Sequence, residues 1–155
     1  MRSDCESGNL RESRFATIGY SGRSLEVFIQ ALIECGVTTL LDVRHFPGSR
    51  FRPEFSKTNL ADALNDHGIQ YLHKRDLGIP SKVRREHGYP EHTESLWSWY
   101  DSEVLSSHID DLSWFPRLES GLAALMCVES DPADCHRYRL GKALESRGLS
   151  YAGDL

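Results

Sequence analysis

Apolar positions along the chain follow two spacings, which predict strands and helices that succeed one another. Short apolar or β-branched runs, typical of buried strands, occur at 15–20, 37–43, 69–73, 122–128 and, more weakly, 149–152. A first amphipathic helix, ending at Gly36, is predicted by apolar residues at helical spacing: Leu25, Phe28, Ile29, Leu32 and Ile33. A second is predicted to begin after Ser56 and to end at Gly68.

The second half of the chain predicts a long insertion before the last two strands. Residues 74–92 are charged and irregular, and residues 93–109 carry an apolar stripe at helical spacing. A further short helix is predicted at about 111–120. After the strand at 122–128, Asp131 suits an N-cap and Pro132 suits the first position of a helix that stops before Gly148.

This order of elements predicts one α/β domain. Strands that alternate with helices favour a mostly parallel open sheet of about five strands, with helices on both faces and a helical insert between strands 3 and 4. We predict that this domain spans residues 14–155. Residues 1–13 are polar and charged and are predicted to form a flexible N-terminal tail.

Composition and charge narrow the range of partners. The 155 residues have no apolar run long enough to span a membrane, and the start lacks the apolar segment of a signal peptide, so we expect a cytoplasmic protein with no membrane partner. The net charge is −5, but residues 44–85 hold nine Lys or Arg against four Asp or Glu, whereas residues 86–113 hold seven acids and no Lys or Arg. This asymmetry indicates either two differently charged solvated surfaces or a basic mouth around an anion site.

Candidate functional residues gather where the predicted strands end. In a parallel sheet, ligands bind outside the carboxyl ends of the strands. Arginines there suit a carboxylate or phosphate, because a guanidinium can grip two oxygens. The candidate anion-binding residues are Ser21, Arg23, Arg44 and Arg137, and the candidate catalytic residues are Asp42, His73, Glu129, Cys135 and His136.

Cys135 is the candidate nucleophile, and its role depends on its pKa. A thiol in the first turns of a helix, beside a histidine and arginines, is expected to have a lowered pKa, although Asp131 and Asp134 oppose this. Each candidate also has a purely structural interpretation. Cys135 can be an inert packed thiol and His73 a strand-end histidine, while the acids and arginines can form structural ion pairs, Arg137 with Glu129 or Asp42 among them.

The sequence does not predict a cofactor or a metal. Cys127, Glu129, Cys135 and His136 have suitable ligand chemistry, but an adjacent cysteine and histidine rarely aim at one ion from a helix. The nucleotide-binding motifs GxxxxGK[ST] and GxGxxG and the GxSxG elbow are absent. A tyrosine-phosphatase loop would need an arginine six positions after its cysteine, where Ala133 and Gly141 stand instead.

Several motifs in register resemble one known family. They are Thr17–Ser24 (TIGYSGRS), Leu41–Arg44 (LDVR), Phe55–Lys57 (FSK), Gly68–His73 (GIQYLH), Leu77–Pro80 (LGIP) and Cys127–Arg137 (CVESDPADCHR). In this order they resemble the domain of unknown function 488 family. The resemblance implies a small cytoplasmic prokaryotic α/β protein, without an established reaction.

The family's signature positions coincide with the residues gathered from the strand ends. By the resemblance they are Gly19, Ser21, Arg23, Asp42, Arg44, His73, Glu129, Cys135, His136 and Arg137. Two departures are small: Ser21 stands where an acid is also common, and Ser130 replaces a usual alanine.

Three functions follow as hypotheses. The first is an enzyme or binding domain for an anionic small molecule or nucleotide, in which Cys135 is the nucleophile or redox thiol. The second is a nucleic-acid-binding or nucleic-acid-processing module that uses the basic loops 44–57 and 74–85, with Phe46, Phe51 and Tyr89 available for stacking. The third is a non-catalytic interaction domain. The oligomeric state stays open.

Overall fold

The computed structural model describes residues 13–118 and 120–155 and contains a five-stranded, all-parallel sheet. The strands are β1 (Arg14–Gly19), β2 (Val37–Asp42), β3 (Gln70–His73), β4 (Leu122–Cys127) and β5 (Ser150–Asp154). Their spatial order is β3-β2-β4-β1-β5, and every neighbouring pair is parallel. The predicted α/β class and strand number are confirmed, and each strand lies within two residues of its predicted position.

Helices cover both faces of the sheet, as predicted. On one face lie α1 (Leu25–Glu34) and α2 (Lys57–Asn65). On the other face lie α6 (His136–Ser146) and the insert. The insert contains α3 (Ser81–Glu86) and one helical run made of α4 (Glu94–Trp99), a π-helical stretch (Tyr100–Leu105) and α5 (Ser106–His108).

The alternation of side chains along the strands explains this two-sided core. In β1, Phe15 faces the core shared with α6 and the insert, whereas Ile18 faces the core shared with α1 and α2. Helix α1 begins where the Ser24 hydroxyl accepts a hydrogen bond from the Val27 N–H at 3.2 Å, and it buries Phe28 against the sheet.

The insert agrees with the sequence only in part. The helix predicted at 93–109 is confirmed, but α3 falls in a stretch that we expected to be irregular. The helix predicted at 111–120 is wrong for the residues that the structure describes there. The Asp111 carboxylate accepts a hydrogen bond from the Ser113 N–H at 3.0 Å, which offers the backbone a turn instead of a helix.

The start of α6 differs from its prediction in a way that affects the site. Asp131 caps only one 3₁₀ turn, Pro132–Asp134, by accepting the Ala133 N–H at 2.9 Å. The backbone at Cys135 is then extended (φ −132°, ψ 146°), and the α-helix begins at His136. Cys135 is therefore the N-cap residue and does not lie within the helix.

The strand order creates a topological switch point beside β4, where the connections that leave neighbouring strands run to opposite faces of the sheet. The connections after β1 and β2 run over the face covered by α1 and α2, whereas the connection after β4 runs to α6 on the other face. Because β4 lies between β2 and β1, the loops separate on both sides of its carboxyl end, which is where ligands bind in such sheets.

Two further points concern the limits of the domain. The predicted N-terminal tail, residues 1–13, lies outside the described residues apart from Ser13. Within the described part of the chain, no helix combines the length and the apolar character needed to cross a membrane.

We predict that Gly19→Ala destabilises the protein by about 3 kcal/mol, since the new methyl group would overlap backbone that cannot easily move. A Cβ at Gly19 would lie 1.8 Å from the Glu129 carbonyl oxygen. Gly148→Ala is the control, because its φ of +93° is unfavourable for alanine but nothing lies within 4 Å; it should cost about 1 kcal/mol. Urea unfolding measures both, and equal losses would contradict the close approach.

Candidate functional site

The residues predicted to form a site lie at the carboxyl edge of the sheet, where all of them except Ser21 and Arg23 fall into three clusters. The first cluster, at the ends of β2 and β3, contains Asp42, Arg44, Tyr71 and His73. The second, between β4 and the insert, contains Arg84, Tyr89, Cys127, Glu129, Cys135 and His136. The third, between β4 and β5, contains Thr17, Arg137 and Asp154.

In the first cluster, Asp42 and Arg44 form a buried ion pair. Both oxygens of Asp42 accept from the Arg44 guanidinium, at 2.9 Å and 2.7 Å, and the Arg44 side chain also donates to the Phe55 carbonyl at 2.8 Å. The Arg44 side chain is 4% exposed and the Asp42 side chain is 0% exposed, so the pair is closed to solvent. The structure therefore gives Arg44 a protein partner in the place of the predicted anion.

Tyr71 adds a hydrogen bond to this ion pair, and one nitrogen of the Arg44 guanidinium remains without a partner. The Tyr71 hydroxyl donates to Asp42, and burial together with the charge of Asp42 raises the pKa of Tyr71 well above its usual value, so the phenol stays neutral. Burial alone lowers the pKa of Arg44, but its hydrogen bonds to Asp42 and the charge of that residue outweigh burial and raise it. Arg44 Nη1 is buried without a hydrogen-bond partner among the described residues, and the guanidinium lies 5.4 Å from the Tyr20 ring centre.

Two histidines tie the end of β2 to its neighbours. The Nε2 atom of His73 lies 2.8 Å from the Arg44 carbonyl oxygen, and the Nε2 atom of His136 lies 2.8 Å from the Val43 carbonyl oxygen. A carbonyl can only accept, so both Nε2 atoms carry the hydrogen. The Nδ1 atom of a neutral His136 is then an acceptor.

In the third cluster, Arg137 is fully buried and held by protein acceptors. It donates to the Glu129 carbonyl at 2.5 Å and to the Ser130 carbonyl at 3.3 Å, and it pairs with Asp154 at 3.3 Å. Asp154 also accepts from the Thr17 hydroxyl at 2.6 Å. Arg137 thus joins the loop after β4 to β5. The ion-pair alternative named Glu129 or Asp42 as its partner, whereas the partner is Asp154 and Glu129 contributes only its backbone carbonyl.

The two candidates after β1 lie apart from the catalytic candidates. Ser21 is exposed, and its N–H donates to the Val128 carbonyl at 2.9 Å. The half-buried Arg23 donates to the Leu155 carbonyl oxygen. The structure therefore does not bring Arg23, Arg44 and Arg137 together around one open anion site.

The second cluster contains two free thiols around one imidazole. The Nδ1 atom of His136 lies 3.7 Å from Cys127 Sγ and 3.8 Å from Cys135 Sγ. All three side chains are almost completely buried, at 0%, 2% and 1% exposure for Cys127, Cys135 and His136. Their ligand atoms lie within 4.8 Å of one another.

The electrostatics of Cys135 are opposite to those that we expected of a nucleophile. Burial, followed by the neighbouring Cys127 thiol, raises the pKa of Cys135 well above its usual value, and the nearby His136 offsets this only in part. Cys135 does lie at the N-terminus of α6, where a lowered pKa is expected, but its side chain makes no capping hydrogen bond and the effect of burial is larger.

Glu129 is the acid of the same cluster. Its Oε1 atom accepts from the Tyr89 hydroxyl at 3.1 Å and lies 3.8 Å from Arg84 Nη1. Burial alone raises the pKa of the Glu129 carboxyl, but its own backbone N–H, Cys135 and Arg84 together lower it, so it is ionised. Burial and the Glu129 charge in turn raise the pKa of Tyr89 to about 12. Glu129 Oε2 and Arg84 Nε are buried and have no hydrogen-bond partner among the described residues.

Outside these clusters, the two basic loops meet at the ends of β2 and β3. The guanidinium of Arg75 lies 3.4 Å from His45 Nε2, and Gly78 packs so closely on the His45 backbone that a Cβ there would lie 2.1 Å from its nitrogen. On loop 44–57, Phe46 is 75% and Phe51 is 90% exposed. The exposed basic residues of the two loops are Arg50, Lys57, Arg75, Lys82 and Arg85.

Sequence reasoning missed the partners that hold these clusters. Arg84 and Asp154 lie outside the quoted motifs, and Tyr71, although it lies within the Gly68–His73 motif, was not assigned to the site. Tyr71 alone had a usable signal, because it lies two residues before His73 and therefore on the same face of β3.

The fold and the strand-end clusters define an all-parallel α/β protein whose chemistry-bearing residues lie at the carboxyl edge of the sheet. The family described as "Domain of unknown function DUF488" matches residues 24–144, and the chain belongs to this family. No curated protein and no solved structure matches the chain. Asp42 to Arg137 of the signature set fall inside the matched span, whereas Gly19, Ser21 and Arg23 precede it.

We predict that Asp42→Asn destabilises the fold by about 3 kcal/mol or more, because it leaves the buried Arg44 charge without a counter-charge. Asp101→Asn is the matched control, since Asp101 also pairs with an arginine, Arg139, but the two are 43% and 34% exposed. That change should cost less than about 1 kcal/mol. Denaturant unfolding measures both, and a loss for Asp42→Asn no larger than that of the control would contradict a desolvated pair.

We also predict that Cys135 in the metal-free, folded protein alkylates about 100-fold more slowly than in urea at the same pH, because the thiolate is the reactive form and burial raises the pKa. Iodoacetamide labelling followed by peptide mass spectrometry gives the rate, with free glutathione in the same tube as the reference. The rate should still rise at the highest pH at which the protein stays folded. A plateau at neutral pH would instead indicate a stabilised thiolate.

Proposed function

We propose that the protein binds single-stranded nucleic acid on a basic aromatic surface made of Phe46, Arg50, Phe51, Lys57 and Arg75. The observation that carries the proposal is the exposure of Phe46 and Phe51, at 75% and 90%, beside exposed cations. Proteins that bind single strands without sequence preference combine such aromatic platforms with positive charge that follows the phosphates. A cytoplasmic location is part of this proposal.

Loop 44–57 is held by its own hydrogen bonds, which supports a preformed surface. Ser49 N donates to the Ser56 hydroxyl at 3.0 Å, and Lys57 N donates to the Pro47 carbonyl at 2.8 Å. Arg52 donates to the Arg23 carbonyl and lies 4.8 Å from the Phe55 ring centre. A loop fixed in this way loses little conformational entropy on binding.

The exposed Phe51 side chain has no packing role in the fold that the structure describes. Phe55, four residues later, is fully buried against Tyr20 and Phe28, so this loop has already supplied its core residue. Leaving a phenylalanine almost wholly in water forgoes about 2 kcal/mol of burial. Stacking on a base would recover part of this free energy.

The charge of the two loops supports phosphate as the partner. Together, residues 44–57 and 74–85 contain nine Lys or Arg and only two acids, Glu54 and Asp76. Arg52 neutralises Glu54 at 2.7 Å, whereas Arg50, Lys57 and Arg75 make no ion pair with any residue that the structure describes. The overall charge of −5 restricts this attraction to one surface.

The geometry gives less support to cysteine-dependent catalysis on a small anion. Arg44 and Arg137 are buried and engaged by protein acceptors, and the raised pKa of Cys135 keeps its thiol protonated.

Tyr89, a candidate for stacking, is only partly exposed and binds Glu129, so we do not include it in the surface. The proposal therefore rests on the loops rather than on the buried signature residues.

Binding of a short fluorescein-labelled oligothymidylate, followed by anisotropy, tests the proposal. We expect saturable binding. The logarithm of the association constant should fall linearly with the logarithm of the salt concentration, because phosphate contacts release counterions. Phe51→Ala should weaken binding about tenfold, since a stacked base is worth about 1–3 kcal/mol. The control is Ile33→Ala, a change at another exposed apolar residue, 42% exposed at the far end of α1.

Arg50→Ala tests the electrostatic part separately. Removing one phosphate contact should reduce the salt slope by about 0.7 for a single strand, with little change in protein stability. Arg117→Ala is its control, because Arg117 is also exposed but precedes β4, at the opposite edge of the sheet. The proposal fails if the wild type does not bind at low salt, or if the control variants lose as much binding as Phe51→Ala and Arg50→Ala.

A further inference from the structure

We infer that Cys127, Cys135 and His136 form a binding site for one thiophilic divalent cation of the zinc type. This inference is independent of the nucleic-acid proposal, because the cluster lies in the core at the end of β4 and the basic aromatic surface lies on exposed loops. Two thiolates and one imidazole are a ligand set that Zn²⁺ accepts, with a fourth position left for an oxygen.

The distances from His136 Nδ1 to the two sulfur atoms fit a tetrahedral ion. Zinc bonds of about 2.3 Å to sulfur and 2.0–2.1 Å to nitrogen place those two ligand atoms about 3.6 Å apart. The Nδ1 atom of His136 lies 3.7 Å from one sulfur and 3.8 Å from the other, and the three ligand atoms lie within 4.8 Å of one another. Cys127 Sγ is also 3.9 Å from Nε2, so it is almost equally far from both ring nitrogens and must move toward the Nδ1 lone pair for all three ligands to share one ion.

The hydrogen bond on the other side of the ring prepares His136 as a ligand. Its Nε2 donates to the Val43 carbonyl at 2.8 Å, which fixes the ring orientation and leaves Nδ1 as the ring nitrogen with a free lone pair. Histidines that bind metals are commonly held by such a second hydrogen bond to a carbonyl or carboxylate. The strand-end carbonyl of Val43 performs this role here.

The extended backbone at Cys135 removes the objection that the sequence raised. Adjacent residues in one helix point about 100° apart around its axis, so they rarely share an ion. Cys135 instead has φ −132° and ψ 146°, and only His136 is helical. The two side chains can then converge with Cys127, which β4 supplies.

Glu129 is suited to hold a water molecule bound at the fourth position. It lines the same crevice as Cys135 and His136, and its Oε2 atom is buried without a hydrogen-bond partner among the described residues. A carboxylate oxygen in that position can accept a hydrogen bond from a metal-bound water. The crevice is covered by Tyr89 and Arg84 of the insert.

Binding requires both thiols to lose their protons. The cation forms bonds to two thiolates and to neutral Nδ1, and the two displaced protons pass to the buffer. No electron is transferred, so no oxidant or reductant is needed. Because protons are released on binding, the affinity for the cation should rise as the pH is raised.

Titration of the reduced, chelator-stripped wild-type protein with Co²⁺ tests the inference. We expect a thiolate-to-cobalt charge-transfer band and the intense visible bands of tetrahedral cobalt, which saturate at one equivalent and are abolished by Zn²⁺. The thermal midpoint should rise with added Zn²⁺. A folded wild-type protein that shows no such bands above neutral pH would overturn the inference.

Variants assign the ligands. Cys135→Ser and His136→Gln should lose the cobalt bands, and glutamine keeps an N–H for the Val43 carbonyl. His108→Gln is the control, since His108 lies on α5, outside the cluster, and should leave the bands unchanged. Circular dichroism in the presence of chelator shows that each variant is folded. Full cobalt binding by folded Cys135→Ser or His136→Gln would equally overturn the assignment.

Discussion

Two buried arginines, each neutralised by an acid from the chain itself, hold the carboxyl edge of the sheet together. Arg44 is closed onto Asp42 within the end of β2, and Arg137 joins the loop after β4 to Asp154 of β5. Neither pair is a net source of stability by itself, because removing charges from water costs several kcal/mol per ion. Their effect is to fix where the strand-end loops run, since any rearrangement would leave a buried charge unpaired.

That constraint separates structural residues from accessible ones. Most arginines and acids of the signature set are bound to other groups of the protein. The exposed side chains at the same edge belong instead to loops 44–57 and 74–85. A cluster of candidate residues at the ligand-binding edge of a parallel sheet is thus not sufficient to define an anion site. Among the described residues, the buried side-chain atoms without a hydrogen-bond partner are Arg44 Nη1, Arg84 Nε and Glu129 Oε2, and none of them belongs to an open anion site.

The sequence predicted the architecture better than the chemistry. The strands and α1 follow from apolar runs and helical spacing, because these patterns report burial directly. The start of α6 was misplaced because Asp131 and Pro132 are equally good signals for a single 3₁₀ turn, and only tertiary contacts decide which forms. The expected pKa of Cys135 was wrong for a different reason, because the sequence pattern did not show that this thiol is almost fully buried. Asp154, the partner of Arg137, could not be predicted, since a long-range ion pair leaves no local pattern.

The proposed phosphate-bearing partner binds at a definite place on the molecule, the loops that follow β2 and β3. A ¹H–¹⁵N spectrum of the protein, titrated with an unlabelled oligothymidylate, locates that contact without any substitution. We expect the shifts to concentrate in the amides of residues 45–57 and 74–78, with those of the buried Cys127–Arg137 segment almost unchanged. Shifts centred on the Cys127–Arg137 segment, or the absence of shifts at low salt, would contradict the account.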